Sequence, residues 1–404
     1  MKVKVLKFGG SSVGSIEAIK RSASIISKWS KKYKLVVVLS AMYGETDRLI
    51  NLTKSFSKNP NPADYDIALS SGETVSCALM SIHLNSIKFK SKAIMGWQIP
   101  INTSDDFNKA RILSVNNKKI YDEFNKYDIL IVPGFQGINK NFNITTLGRG
   151  GSDTSAVAIA SSLKVECVIY TDVEGVYTTD PNLVPKAKKI PKISYEEMLE
   201  LASQGAKVLQ IRSVELAMRK KTKLSVRSSI KPSASGTVIT DENNVLENNT
   251  VSGIAFSRDE AKITLSKVLD KPGVSSKIFG PLAKGNVNVD MILQNISQDG
   301  KFANLSFTLP RQDIDKAIKI IKREKTNIGY KKMQYSTDIA KLSVVGVGMR
   351  SHAGVAQTLF DTLGNNNINI HLITTSEIKI SVLISELHLE TAVKILHKAY
   401  NLHK

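Results

Sequence analysis

The chain has 404 residues, 42% hydrophobic and 23% charged, an ordinary globular composition with length for two or three domains. Its formal charge of +20 comes from 45 lysines against 11 arginines spread along the chain, and only 6% of residues are aromatic. Forked guanidinium readout and base stacking both lack material, which argues against a nucleic-acid partner, while the absence of a run of about 18 apolar residues argues against a membrane span.

In chain order, the opening MKVKVLKFGG reads as a strand rather than a leader peptide. That strand, residues 3–8, ends in the glycine turn of LKFGGSSVG. Gly9 and Gly10 let the backbone turn after Phe8 with its amides exposed, and Ser11 or Ser12 is expected to cap the helix over 16–29. Lys7 stands inside the strand end, where a lysine needs a counter-charge. It reads either as a phosphate contact or as the snorkelling side chain of an ordinary strand–turn–helix. A second buried strand, 35–39, leads into SAMYGET with Ser40 and Thr46. Helical spacing follows over 65–84, and SSGE puts Glu73 near a helix start, suited to the dipole or to an ammonium group.

A third strand, 129–132, precedes TTLGRGGSDTSA. Here Gly148, Gly150 and Gly151 permit unusual dihedrals and close approach of a ligand. Arg149 offers a planar fork for a carboxylate. Ser152 and Asp153 are expected to cap the helix over 152–163, with Asp153 also placed to orient lysines. A hairpin turn with a helix cap is the plainer alternative. The strand over 165–170 ends in YTDVEGVYTTDP. Thr171, Asp172, Tyr177, Thr178, Thr179, Asp180 and Pro181 either suit a ribose and an adenine edge at a strand's carboxyl end or make a turn-rich connection. A helix over 195–202 leads to QGAKVL with Lys207, which also reads as a solvated lysine. No GxxxxGK[ST] is present and no GxGxxG opens a helix. None of the 6 histidines falls in these loops, so neither a histidine triad nor a metal site is expected. Cys77 and Cys167 lack ligand or disulfide spacing and fit a reducing, cytoplasmic setting.

Strands alternating with helices imply an α/β sandwich with a largely parallel sheet. The polar stretch 240–250 (TDENNVLENNT) is the best linker, and beyond it the chain repeats. Copies beginning at Ala261 and Ala340 align Gly273 with Gly354, Asn288 with Asn369 and Gln294 with Thr375. Each reads βαββα. The first finds a fourth strand in 327–335; the second has none after it, so the strand over 250–256 is expected to complete it, interleaving the two modules.

KFGGSSV, SSGE, TTLGRGGSDTSAVAIA, YTDVEGVYTTDP, SYEEMLELASQGAKVL and the repeated DKPG…NVNVDMILQN and NINIHLITTSEIKISVLI follow one another in an order that resembles the aspartate kinases of the amino acid kinase family. The resemblance covers essentially the whole chain. It implies a three-layer αβα sandwich over 1–245, followed in 246–404 by two interleaved ferredoxin-like (βαββαβ) ACT domains. Copy one would span about 261–335 and copy two about 340–404, completed by 250–256. It implies transfer of the ATP γ-phosphoryl group to the side-chain carboxylate of L-aspartate, with Mg²⁺, giving 4-phospho-L-aspartate for lysine, threonine and methionine synthesis. An acetylglutamate or glutamate kinase is the alternative. By likeness, Lys7 and Lys207 contact the transferring phosphate and Asp153 holds them. Arg149 clamps the substrate α-carboxylate and Glu73 takes its ammonium, near Ser40, Thr46, Gly150, Gly151 and Ser152. Phe8, Gly9, Gly10, Thr171, Asp172, Tyr177, Thr178, Thr179, Asp180 and Pro181 line the nucleotide pocket. Asn182 stands where many relatives carry an arginine. A homodimer or higher homo-oligomer is expected, binding lysine and/or threonine at the ACT interface through Asn288, Asp290, Gln294, Asn369, Ile370, Ser376 and Glu377.

Overall fold

The runs KLVVVL and ILIVP are buried along almost their whole length, so they belong in the middle of a sheet covered on both faces. The computed structural model describes residues 2–203, 208–242, 250–298, 300–352 and 354–404. It divides into two units, Met1–Tyr177 with Lys189–Leu246, and Thr178–Lys188 with Glu247–Lys404. Lys207, and residues 243–249 of the linker, lie outside the described residues.

The first unit begins with β1 (Val3–Phe8), α1 (Ile16–Ser30), β2 (Lys34–Leu39), α2 (Glu45–Phe56) and α3 (Pro62–Ser86). Next come β3 (Ser91–Ala93), β4 (Ile101–Thr103), β5 (Ile112–Val115), α4 (Asn117–Phe124), β6 (Ile129–Pro133), β7 (Gln136–Ile138) and β8 (Ile144–Thr146). It closes with α5 (Gly151–Leu163), β9 (Cys167–Thr171), β10 (Lys192–Ser194), α6 (Tyr195–Ser203), α7 (Ile211–Lys220), β11 (Leu224–Ser228) and β12 (Thr237–Thr240). Eight strands form the main sheet in the order β10-β12-β11-β9-β1-β2-β6-β3, and β5-β4-β7-β8 form a smaller one. The pairs β9–β1, β1–β2 and β2–β6 are parallel, which brings the carboxyl ends of β1, β2, β6 and β9 to one edge. Leu6 and Phe8 pack with Ile19, Ile26, Met80 and Leu84 of α1 and α3.

By length and composition α3 is long and apolar enough to cross a membrane, although the chain shows no unbroken apolar run. The helix instead covers the protein's own interior, and it carries two buried carboxylates, Asp66 and Glu73, that are hydrogen-bonded to the chain.

In the second unit β13 (Gly253–Leu269), α8 (Val274–Lys284), β14 (Ile292–Ile296), β15 (Phe302–Leu309), α9 (Ile314–Arg323) and α10 (Lys325–Ile328) make up the first copy. The second follows with β16 (Lys332–Val345), α11 (Val355–Gly364), β17 (Ile370–Thr375), β18 (Lys379–Ser385) and α12 (Leu389–Ala399). The strand read over 250–256 and the first strand of the copy beginning at Ala261 are one strand, β13; the strand read over 327–335 begins only at Lys332, after α10, and runs on into the first strand of the copy beginning at Ala340 as β16. No glycine or proline separates either pair, so each strand runs on through irregular pairing near Glu260. Gly253–Ser257 pairs with Lys341–Val345, and Lys262–Ser266 with Lys332–Ser336. Each long strand thus serves both copies, and the two interleaved modules share a six-stranded sheet, β14-β15-β13-β16-β18-β17. Each keeps its own core, one around Ile263, Phe307 and Ile321, the other around Leu342, Val382 and Leu396.

Candidate active site

Because Leu6 and Phe8 face α1 and α3, strand alternation turns Lys7 to the opposite face, toward α5. There its Nζ lies 2.6 Å from Asp153 Oδ1, with both side chains almost fully buried. The contact is an ion pair off the line of a good hydrogen bond, since that oxygen has no hydrogen-bond partner. Asp153 sits in the first turn of α5, where free amides and the helix dipole favour a carboxylate. Ser152 and Asp153 do not cap the helix as expected. Gly150 does, in the left-handed region (φ +74°) that glycine reaches without strain. Nor do Ser11 and Ser12 cap α1: its cap is Ser15, whose Oγ accepts from Ala18 N at 3.2 Å, because a short 3₁₀ turn over Gly10–Ser12 delays the helix. Ser12 Oγ instead donates to Ser229 Oγ.

The glycines after β1 leave room. A side chain at Gly9 would stand 3.3 Å from Lys7 Nζ, and one at Gly10 would stand 3.2 Å from Ala41 O. Beyond β2, Ser40 N donates to Phe8 O (3.1 Å), and Ser76 Oγ donates to Ser40 O. Thr46 is half-buried in the first turn of α2.

Glu73 lies in the middle of α3, not near a helix start, so the dipole does not hold it. Its Oε1 accepts from Ala41 N at 3.0 Å, and its buried Oε2 has no partner. Burial pushes its carboxyl up to about 8, against the smaller opposing pull of the Ala41 amide. A second charge arriving here, such as an ammonium, would satisfy Oε2 and restore the ionised form.

Arg149 is exposed and makes no hydrogen bond or ion pair among the described residues. Gly148 (φ +77°) and Gly150 flank it. A side chain at Gly150 would run into Gln210, and one at Gly134, after β6, would collide with Ser152. The carboxyl ends of β1, β2 and β6, the middle of α3 and the start of α5 therefore gather Lys7, Gly9, Gly10, Ser40, Glu73, Ser152 and Asp153 in one region.

The nucleotide candidates divide. Thr171 closes β9, where its Oγ1 donates to Asp172 Oδ1 at 3.0 Å and its carbonyl accepts from Ser229 N. Tyr177 bridges to Lys189 in the first unit. The chain then leaves: Thr178–Lys188 packs in the second unit. Thr178 Oγ1 hydrogen-bonds His397 Nε2 (2.9 Å), Thr178 O accepts from Ile254 N, and Leu183 and Val184 join the core of the second ACT copy. Thr179 is buried, while Asp180 and Pro181 are exposed, and Asp180 Oδ1 accepts from Asn182 N.

In the second unit Asn288 and Asn369 are exposed ahead of β14 and β17, the opposite edges of the sheet, so one chain does not bring the two effector sets together. Asp290 pairs with Lys341, and Gln294 Nε2 donates to Asp270 Oδ1 at 3.2 Å. Ile370 opens β17; Ser376 and Glu377 are exposed beyond its end, and Ser376 N donates to Lys379 O. Sequence reading missed Asp66, Arg212, the Lys341–Glu260 pair and His397. The one signal available was Asp66, a charged residue at the start of a largely apolar helical stretch.

Comparison with known proteins adds the following. The amino acid kinase family model matches residues 2–228, and an ACT domain model matches 266–324 and 342–400. An aspartate kinase of Pseudomonas putida is 48% identical over 100% of this chain and 98% of its own length. An aspartokinase of Helicobacter pylori is 46% identical over 98% of this chain and 99% of its own. Among solved structures, E. coli aspartokinase III in complex with aspartate and ADP superposes with a TM-score of 0.82 at 25% identity, covering 99% of both chains. The same enzyme with lysine and aspartate gives 0.79 at 26% identity, covering 100% of both.

Proposed function

The chain belongs to the aspartate kinases of the amino acid kinase family, and from that premise we propose how its own residues carry the reaction. The acceptor is the side-chain carboxylate of L-aspartate and the product 4-phospho-L-aspartate. That carboxylate has a reference pKa near ~3.9, so it is ionised at neutral pH and needs no general base. The obstacle is repulsion between two anions and charge on the transferring group, which positioned cations relieve.

The observation that carries this reading is the buried Lys7–Asp153 pair at the mouth of α5. Asp153 keeps the ammonium of Lys7 beside the open backbone of Gly9 and Gly10, where a γ-phosphate fits. Lys207 is assigned the same phosphate. The guanidinium of Arg149 clamps the α-carboxylate, and Glu73, through its unpartnered Oε2, takes the ammonium with Ser40, Thr46 and Ser152 around it. Thr171, Asp172 and Tyr177 hold the nucleoside. Among the described residues no group of three or more His, Cys, Asp or Glu gathers to cage a metal. A Mg²⁺ arriving with ATP would take most of its oxygens from phosphate and water and would supply further charge neutralisation.

The ACT unit is assigned feedback control by lysine and/or threonine in a homodimer or higher homo-oligomer, in which a second chain would lie against the effector sets at the two sheet edges. Support comes from the lysine-bound E. coli relative.

The test is incubation with ATP and MgCl₂ plus aspartate, glutamate or N-acetylglutamate, with hydroxylamine trapping the acyl phosphate. Hydroxamate from aspartate alone is expected. Hydroxamate from glutamate and not aspartate overturns the reading. Lysine and threonine, added singly and together, should slow turnover; no response to either rejects them as effectors.

A further inference from the structure

We propose that Asp66 and Arg212 are positioning residues that set Arg149 in place by gripping the backbone on its N-terminal side. The inference rests on Arg149 being the clamp for the substrate α-carboxylate. Since its side chain has no partner among the described residues, its location depends on where the backbone delivers it.

That backbone is held from two directions. Asp66, fully buried in the first turns of α3, accepts from Thr146 N at 2.7 Å and from Asn108 N at 2.9 Å through Oδ2, and from Thr146 Oγ1 at 2.9 Å through Oδ1. Arg212, at the start of α7, donates to Leu147 O at 2.5 Å and to Ala110 O at 3.0 Å. Ala110 N donates to Thr146 O at 3.0 Å, and Leu147 N to Phe135 O at 2.9 Å. Every backbone donor and acceptor of Thr146 and Leu147 is therefore engaged. At Gly148 the chain turns through the left-handed region so close to Asn108 O that a side chain would stand 2.9 Å from it. Arg149 is the next residue.

A carboxylate is the right group at 66. Both amides that meet Oδ2 donate, so the position needs an acceptor with two lone pairs to spare. An asparagine could keep its carbonyl on both amides and turn its NH₂ to Thr146 Oγ1, a hydroxyl that also accepts, so the informative change is Asp66→Ala, which removes every acceptor. Burial raises the Asp66 carboxyl above its usual range while the three donors pull it back. The three donors are what make the carboxylate an anchor.

The test is steady-state kinetics of the full chain. Asp66→Ala and Arg212→Met should each raise KM for aspartate by roughly tenfold to a hundredfold, leaving KM for ATP within about twofold. Arg212→Lys keeps the charge and a donor group but loses the fork that spans both carbonyls, and should fall between. Where Asp66→Ala fails to fold, the Arg212 pair carries the test. In an Arg149→Ala background the same changes should add less than about twofold to KM for aspartate, because the clamp they position is gone. Folded variants with unchanged KM for aspartate, an equal rise in both KM values, or full additivity with Arg149→Ala would each overturn the proposal. A wild-type protein that does not phosphorylate aspartate would instead overturn the reading beneath it.

Discussion

Lys7 in the first unit and Lys341 in the second are both buried lysines held against a carboxylate, with side chains 10% and 5% exposed and partners 9% and 7% exposed. They differ in what surrounds the ammonium. Lys341 meets two carboxylates, Glu260 at 2.9 Å and Asp290, and burial alone would pull it down, but those charges outweigh burial and raise it. Lys7 meets one carboxylate at an angle that makes no full hydrogen bond, and beside it glycine backbone leaves space. A lysine whose valences are filled by its own chain is a strut. One left with donors to spare beside an open cradle can bind an anion that the fold does not supply.

Lys7→Ala should break the comparison most visibly, lowering kcat/KM for aspartate phosphorylation by roughly a thousandfold. Its thermal midpoint should fall less than that of Lys341→Ala, since the positive end of the α5 dipole still favours the Asp153 charge. Activity within about tenfold of wild type would remove Lys7 from the site. Lys341→Ala strands Glu260 in the interior and should cost the fold about 3–5 kcal/mol in denaturant titration. The double change Lys341→Met with Glu260→Gln should recover most of that, and a loss under about 1 kcal/mol for Lys341→Ala would refute the strut.

Glu73 sharpens the contrast through pH. Its carboxyl loses its proton near 4.5 in the unfolded chain and at about 8 in the folded one. Between those values the folded state holds more protons, so raising pH favours unfolding, by up to roughly 1.4 kcal/mol per pH unit from this residue. Glu73→Gln should flatten stability against pH across that window, and an unchanged slope would show that Glu73 is already ionised. The smallest effect belongs to Thr178→Val, which removes the His397 bond and should cost about 1 kcal/mol of stability; no loss in thermal melts would show that bond to be replaceable.

Local patterns were legible where one stretch of chain settles its own state. The strand–glycine–helix turns at Gly9 and Gly148, and the repeat from Ala261 and Ala340, could be read because glycine and periodicity act within a few residues. Helix caps were read less well. Ser15 and Gly150 displaced the expected serines and aspartate because the exact entry of each helix depends on the preceding turn. The merging of four predicted strands into β13 and β16 was partly legible: the missing fourth strand announced the exchange, but not that each strand would run unbroken through both modules.

The sequence by itself determined the alternation of strands and helices, the doubled module and the residue types a phosphoryl-transfer site requires, since each follows from short-range spacing and side-chain chemistry. Only the tertiary structure decided that Lys7 meets Asp153, that Glu73 is buried beside Ala41 and raised by that burial, that Asp66 and Arg212 grip the approach to Arg149, and that Thr178–Lys188 packs with the second ACT core. Those pairings join residues as many as 219 positions apart, and no local rule reaches across such a distance; packing does.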